Sequence, residues 1–252
     1  MGWQAFWSEI VIVVLGVAIA LAANEAVQEW NWRNKVADAE ARLQGDIAWA
    51  FLWAAEKYAT QPCVDAQLAA LRRNVLENGS TLKPASVLTS SNVSYVVRIP
   101  NRPYRFPVWD ALVGDGTASH FLPERQAFLG RINDAMDQAR TSETETRRLM
   151  GRLLVMRDPI ALDAVVRADL LTQINELRTL TSVEALNALQ RMRVIVDAGS
   201  APSADIVEAF VNGADTNASA ADASGTVQFC KAQGLPLADW HDLNYGAMRF
   251  SI

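Results

Sequence analysis

The stretch from Ser8 to Trp32, SEIVIVVLGVAIALAANEAVQEWNW, limits what this chain can fold into more than any other feature. Ile10 to Ala23 is unbroken apolar sequence. As a helix rising about 1.5 Å per residue it covers roughly 21 Å, short of the roughly 30 Å of a bilayer core. The flanks extend it. Trp3 and Trp7 precede the run, and Trp30 and Trp32 follow it. Trp7 to Trp30 as helix spans about 35 Å and sets indoles at both membrane interfaces. Residues 1–32 are therefore assigned as a transmembrane anchor in contact with the lipid bilayer. A buried core helix is the first rival. A cleaved signal peptide is the second, but its leading segment would be basic, and here Glu9 sits where positive charge belongs.

A carboxylate at the edge of the hydrocarbon is costly, so Glu9 either reaches the headgroups or contacts another helix. Gly16, Ala20 and Asn24 lie four residues apart and form a small-residue face that lets helices approach closely. Glu9, Gly16, Ala20 and Asn24 are the candidate helix–helix contacts, with other transmembrane subunits as the expected partners.

Residues 33–252 are enough for one soluble domain of ordinary size. Half the chain is apolar and a fifth is charged, a globular balance. A net charge of −5 argues against nucleic acid, which demands a concentrated basic face. Two cysteines, Cys63 and Cys230, permit either one disulfide or two separate buried thiols. There are two histidines, His120 and His241, and no paired ligand motif, so no metal is expected. The phosphate-binding, dinucleotide and nucleophile-elbow motifs are missing as well. No cofactor and no enzymatic activity are expected.

Helical spacing continues past the membrane through Val36, Leu43, Ile47, Ala50, Phe51, Ala54 and Tyr58. It predicts one helix over about 7–58, ended by Thr60-Gln61-Pro62. A second helix follows through Val64, Leu68, Leu71 and Val75, stopped at Asn78-Gly79 by a left-handed cap. Residues 80–107 read as a long loop with one short strand or hairpin in Val93–Ile99. Asn92-Val93-Ser94 matches a glycosylation sequon. A short helix ends at Gly114 and Gly116, and Pro123 opens a long one running to about Met156. Its polar middle, Thr141–Thr146, is expected to bend or to project beyond the core. Asp158-Pro159 restarts a helix, and Thr181 with Glu184 forms a capping-box pattern that starts another, ending at Ala198-Gly199. A short helix over about 203–212, a polar loop over 213–225 and a docking tail with Trp240, Tyr245 and Phe250 complete the chain. The expected fold is mainly α. One transmembrane helix continues into a helical-bundle soluble domain with a long irregular loop and little β.

Two stretches carry a likeness. Glu9, Ile10, Gly16, Ile19, Ala20, Leu21 and Asn24, with Trp30 or Trp32, resemble the N-terminal signature of a large family of poorly characterised bacterial membrane proteins. Its members share a GEI-(apolar)-GILIAL-x-x-N-x-W-type span and a helical extracytoplasmic domain. Val108 to Met136 resembles that family's W-x-x-L-x-x-x-G segment and the helix after it. The likeness implies location and fold. Positive-inside counting runs the other way, since Arg33, Lys35 and Arg42 follow the span. A disulfide, like the resemblance, points outside. The expectation is a bacterial inner-membrane protein with its N-terminus inside and its large domain, 33–252, periplasmic. Its expected function is that of a non-enzymatic accessory or scaffold subunit of a membrane assembly such as a respiratory or photosynthetic complex. The rivals are a periplasmic sensor or ligand-binding module acting through a partner, and an envelope enzyme.

Overall fold

The structure, a computed structural model, describes residues 3–90, 93–212 and 224–243. Within them the fold is mainly helical. There are six helices: α1 Trp3–Glu77, α2 Pro107–Gly114, α3 Pro123–Leu153, α4 Ala164–Asp197, α5 Ala204–Asn212 and α6 Gly225–Ala232, with the long, mostly irregular stretch 78–106 between α1 and α2. Four strands of two or three residues, β1 Thr81–Leu82, β2 Leu88–Ser90, β3 Val93–Tyr95 and β4 Ile160–Ala161, make two antiparallel pairs, β1 with β4 and β2 with β3. The sequon at Asn92, the loop 213–223, Tyr245 and Phe250 lie outside the described residues. The chain divides into two compact units, Met1–Gly45 with Pro107–Ala127, and Asp46–Phe106 with Phe128–Ile252.

In the first unit Ala39 and Leu43 of α1, Trp109 and Leu112 of α2, and Phe121 are buried. Trp109 and Phe121 meet edge to face, ring centroids 6.4 Å apart. Gly116 supplies the left-handed turn, φ 80°, that leads from α2 into a single 3-10 turn, Thr117–His120. Arg125 clamps Glu40 through two bonds of 2.9 and 2.6 Å.

In the second unit the core runs from Val64, Leu68, Leu71 and Val75 of α1, through Leu82, Val96, Val97 and Ile99, to Leu149 and Leu153 of α3 and Leu170, Ile174 and Leu177 of α4. Register is set at β1, where Leu82 faces Ile160 and Thr81 faces Ala161. α1 ends without a left-handed glycine, because Gly79 is not among the positive-φ residues. The Arg167 guanidinium instead caps the open carbonyls of Val75, Asn78 and Gly79. Helix ends leave such carbonyls orphaned, and a cation there also opposes the helix dipole.

Four local expectations are corrected. Pro62 does not end the first helix; α1 runs through it to Glu77. A mid-helix proline forfeits one backbone bond and crowds the preceding turn, at about 3 kcal/mol. Here that turn is covered: Ala59 accepts the Ala238 N–H at 2.8 Å, Tyr58 donates to the Asp242 carbonyl at 3.2 Å, and Thr60 back-bonds Glu56. Asp158-Pro159 does not restart a helix, because β4 intervenes and α4 opens at Asp163, whose carboxylate caps Val165 and Val166 at 2.8 Å each. Thr181 and Glu184 do not begin a new helix. They lie inside α4, where Thr181 bonds the Arg178 carbonyl and Glu184 turns to Lys57. The polar middle of α3 does not leave the core, since Glu143 and Thr146 are buried.

Candidate functional site

The anchor residues come first. An 18-residue window near the start of α1 has mean hydropathy 1.6, and none of it is buried. The helix is thus long and apolar enough to cross a membrane. Trp3, Trp7 and Trp30 are exposed, with the Trp3 and Trp7 rings edge to face at 6.0 Å. Trp32 is half-buried: it stacks on His120 at 3.8 Å, with Lys35 over its ring at 4.5 Å. Gly16, Ala20 and Asn24 are exposed at intervals of four along one face of α1, and nothing stands within 4 Å of where a Cβ on Gly16 would sit. Glu9 is helical in backbone, and its side chain lies outside the described residues.

Cys63 and Cys230 are joined, sulfur to sulfur at 2.02 Å, with Cα atoms 6.0 Å apart. The bond ties α1, one residue past Pro62, to α6. With the Ala238–Ala59 bond it fastens the C-terminal segment over the proline turn.

The most concentrated chemistry is a charged cluster inside the second unit. Glu56 and Lys57 follow one another in an otherwise buried, mostly apolar run of α1, from Ala50 to Tyr58. Consecutive helical side chains point about 100° apart, so the two serve different neighbours. Glu56 is gripped by Arg102 at 2.7 and 3.0 Å and accepts the Ser224 hydroxyl at 2.6 Å. Lys57 donates to Glu184 of α4 at 2.8 Å, to Glu143 of α3 at 3.4 Å, and to the Pro100 carbonyl at 3.4 Å. Thr146 donates to the other Glu184 oxygen at 3.3 Å.

One ammonium therefore faces two carboxylates. Burial works to lower the Lys57 ammonium, but attraction to Tyr104, Glu184 and Glu143 outweighs it, and the group is held above its ordinary range. At neutral pH it is the two carboxylates that act, because burial pushes the Tyr104 phenol up to about 12. Glu184 is the nearer acid, at 2.8 Å from the ammonium against 3.4 Å for Glu143. Glu143 is the surplus one: burial first, and then repulsion by Glu184, raise it to about 7 against the pull of Lys57. A lysine held protonated is no amine nucleophile. The cluster is fit for pairing and for orienting a ligand.

Beside it a cavity of about 310 Å³ opens between α1, α3, α4 and the Tyr104 segment. Trp53, Lys57, Tyr104, Glu184 and Arg191 line it. The sequence marks Glu184 for a cap and the run Thr141–Thr146, which holds Glu143 and Thr146, as a polar stretch, and it passes over Glu56, Lys57 and Arg102. The signal that marks the cluster is positional. Along α3 the buried residues Ile132, Met136, Glu143, Thr146, Leu149 and Leu153 form one stripe, and along α4 so do Leu177, Thr181, Glu184, Ala188 and Ile195. A polar residue at an apolar-stripe position is a buried partner in waiting. The paired cysteines and the exposed tryptophans were singled out, and they lie elsewhere. Comparison with family models, with curated proteins and with solved structures finds no match to this chain.

Proposed function

We propose that the protein is a single-pass, membrane-anchored, non-enzymatic accessory subunit of a bacterial inner-membrane assembly, with its helical domain on the periplasmic side. The observation that carries this reading is the apolar window of α1, which is wholly uncovered. So much exposed apolar surface demands either lipid or another helix against it. The open face of Gly16, Ala20 and Asn24 supplies a place for a helix to approach. The Cys63–Cys230 pair suits an oxidising compartment, which supports the periplasmic side. So does the resemblance of the first span to envelope proteins. Lys57, the one buried amine of the cluster, is kept charged and paired, which suits a structural role.

Purification from native membranes in mild detergent tests the assembly. The protein is expected to co-migrate with other transmembrane subunits. Gly16→Leu with Ala20→Leu is expected to release it while leaving it in the membrane. A lone monomer from native membrane would overturn the reading. A C-terminal alkaline phosphatase fusion is expected to be active, and an inactive one would move the domain to the cytoplasm. A second reading, a ligand-binding module acting through a partner, is favoured by the cavity.

A further inference from the structure

Among the described residues Tyr104 is the one non-glycine residue with a positive φ. Its backbone sits at φ 41°, a left-handed conformation that bulky residues avoid and that is held only when its surroundings over-determine it. Trp53 meets its ring edge-on at 5.8 Å, and the charges of Lys57 and Arg191 lie 6.0 and 5.9 Å from its centre. The residue is 2 % exposed, yet its hydroxyl has no hydrogen-bond partner. Arg191 is in the same condition. It is 5 % exposed and donates from Nη2 to the Ala135 carbonyl at 3.1 Å, while its Nε is buried without a partner. Among the described residues no carboxylate stands within ion-pair distance of it. The nearest candidate, Glu184, is already bonded by Lys57 and Thr146.

A buried guanidinium without a counter-charge is among the costliest groups a fold can carry. A phenol held in strain with an idle hydroxyl adds to that cost. Both line the same cavity, which at about 310 Å³ has room for a small organic molecule. The two open donors, Arg191 Nε–H and Tyr104 Oη–H, match two acceptor oxygens carrying one negative charge. In the same wall Glu184 answers Lys57 and Asp134 balances the charge of Arg131, so Arg191 is left to neutralise one negative charge and a doubly charged phosphate brings more than it can. The rest of the wall sets apolar Trp53, Ile132, Ala188 and Val194 beside polar Gln138 and Asn187 and the charged Arg131 and Asp134.

We propose that the cavity bounded by Trp53, Tyr104 and Arg191 binds a small organic monocarboxylate, its carboxylate bonded by Arg191 and Tyr104 and its apolar body packed against Trp53 and Ile132. The site is independent of the assembly reading: it lies wholly in the second unit and uses no residue of the membrane segment. Isothermal titration of the full-length protein in detergent, with benzoate and hexanoate as probes, tests it. Saturable binding of at least one carboxylate is expected. Benzamide, the neutral counterpart of benzoate, is expected to bind about tenfold more weakly, as the loss of a charge-assisted bond requires. Arg191→Gln is expected to weaken carboxylate binding by about tenfold, and Tyr104→Phe by about fivefold, with circular dichroism unchanged. Should Arg191→Gln not fold, Tyr104→Phe, which removes only the idle hydroxyl, carries the test. The proposal is overturned by the absence of saturable carboxylate binding up to about 10 mM. Unchanged affinity in Tyr104→Phe, or tighter binding of inorganic phosphate than of either carboxylate, would overturn it equally.

Discussion

Replacing Glu143 with glutamine should make the protein more stable at alkaline pH and leave it nearly unchanged in mild acid. Glu143 is the surplus acid beside Lys57, and its folded-state value is raised from 4.5 to about 7 by burial and by Glu184. A carboxyl raised in the folded state binds its proton more tightly there than in the unfolded chain. Its contribution to stability is therefore complete below about pH 4.5 and is lost as pH climbs through about 7. The gap between 4.5 and about 7, at about 1.4 kcal/mol per pH unit, amounts to about 3 kcal/mol across the window. Glutamine does not titrate, and its carbonyl can still accept from Lys57. The groups facing Glu143 are Lys57 on α1, Glu184 on α4 and Arg147 one turn along α3; all are retained in the variant. The assay is urea unfolding of the full chain in detergent, followed by tryptophan fluorescence, for wild type and Glu143→Gln at a series of pH values. The difference between the two midpoints should open between about pH 4.5 and 7 and level off above that, with the m-value unchanged. Parallel curves would refute the claim that Glu143 sits buried with surplus charge.

Two further outcomes follow from the same unit. Lys57→Met strands Glu184 and Glu143 without their cation and should cost about 3–5 kcal/mol by urea midpoint, more at pH 8 than at pH 5 because Glu143 can take up a proton in acid. Reducing the Cys63–Cys230 bond opens a loop of 167 residues and should lower stability by up to about 5 kcal/mol, with non-reducing mass spectrometry confirming the bond in protein from native membranes. Two alkylatable thiols in that preparation would remove both this prediction and one support for the periplasmic placement.

The apolar run of α1 was legible because being long and apolar enough to cross a membrane is a property of one segment. Length, hydropathy and flanking tryptophans are all local. The same is true of the short α2, of Pro123 at the start of α3 and of Gly199, whose φ of 62° closes α4 as a left-handed terminus should. What failed to read correctly depends on segments far apart in sequence. Pro62 carries a strong local stop signal. The signal is overridden because residues from 50 to 64 are buried on nearly every side and the C-terminal segment bonds across the turn. The run Thr141–Thr146 looks like a solvated face until Lys57 is placed opposite Glu143. Thr181 and Glu184 fit a helix start until Glu184 is claimed by Lys57. Tyr104 leaves no trace in sequence, because a positive φ at an aromatic residue comes from tertiary constraint and not from local preference.

That asymmetry bears on why the charges are inside at all. A cluster of well-packed aliphatic residues would stabilise α1, α3 and α4 at least as well, since buried ion pairs seldom exceed hydrophobic isosteres. The apolar run Ala50–Tyr58, however, offers a helix that packs nearly equally well in several rotations, because almost every residue in it is apolar. Glu56 and Lys57 remove that freedom. Glu56 must meet Arg102 and Ser224, while Lys57, about 100° around the helix, must meet Glu143 and Glu184. Any other rotation strands one buried charge or the other. On this argument the two residues fix the rotation of α1, and with it the position of Trp53 in the cavity wall. Arg191 stands apart. Among the described residues it pairs with no acid; it donates from Nη2 to the Ala135 carbonyl, and its Nε is open. The charges that orient the bundle are paired within it, whereas Arg191, buried with no acid bonded to it among the described residues, faces the cavity.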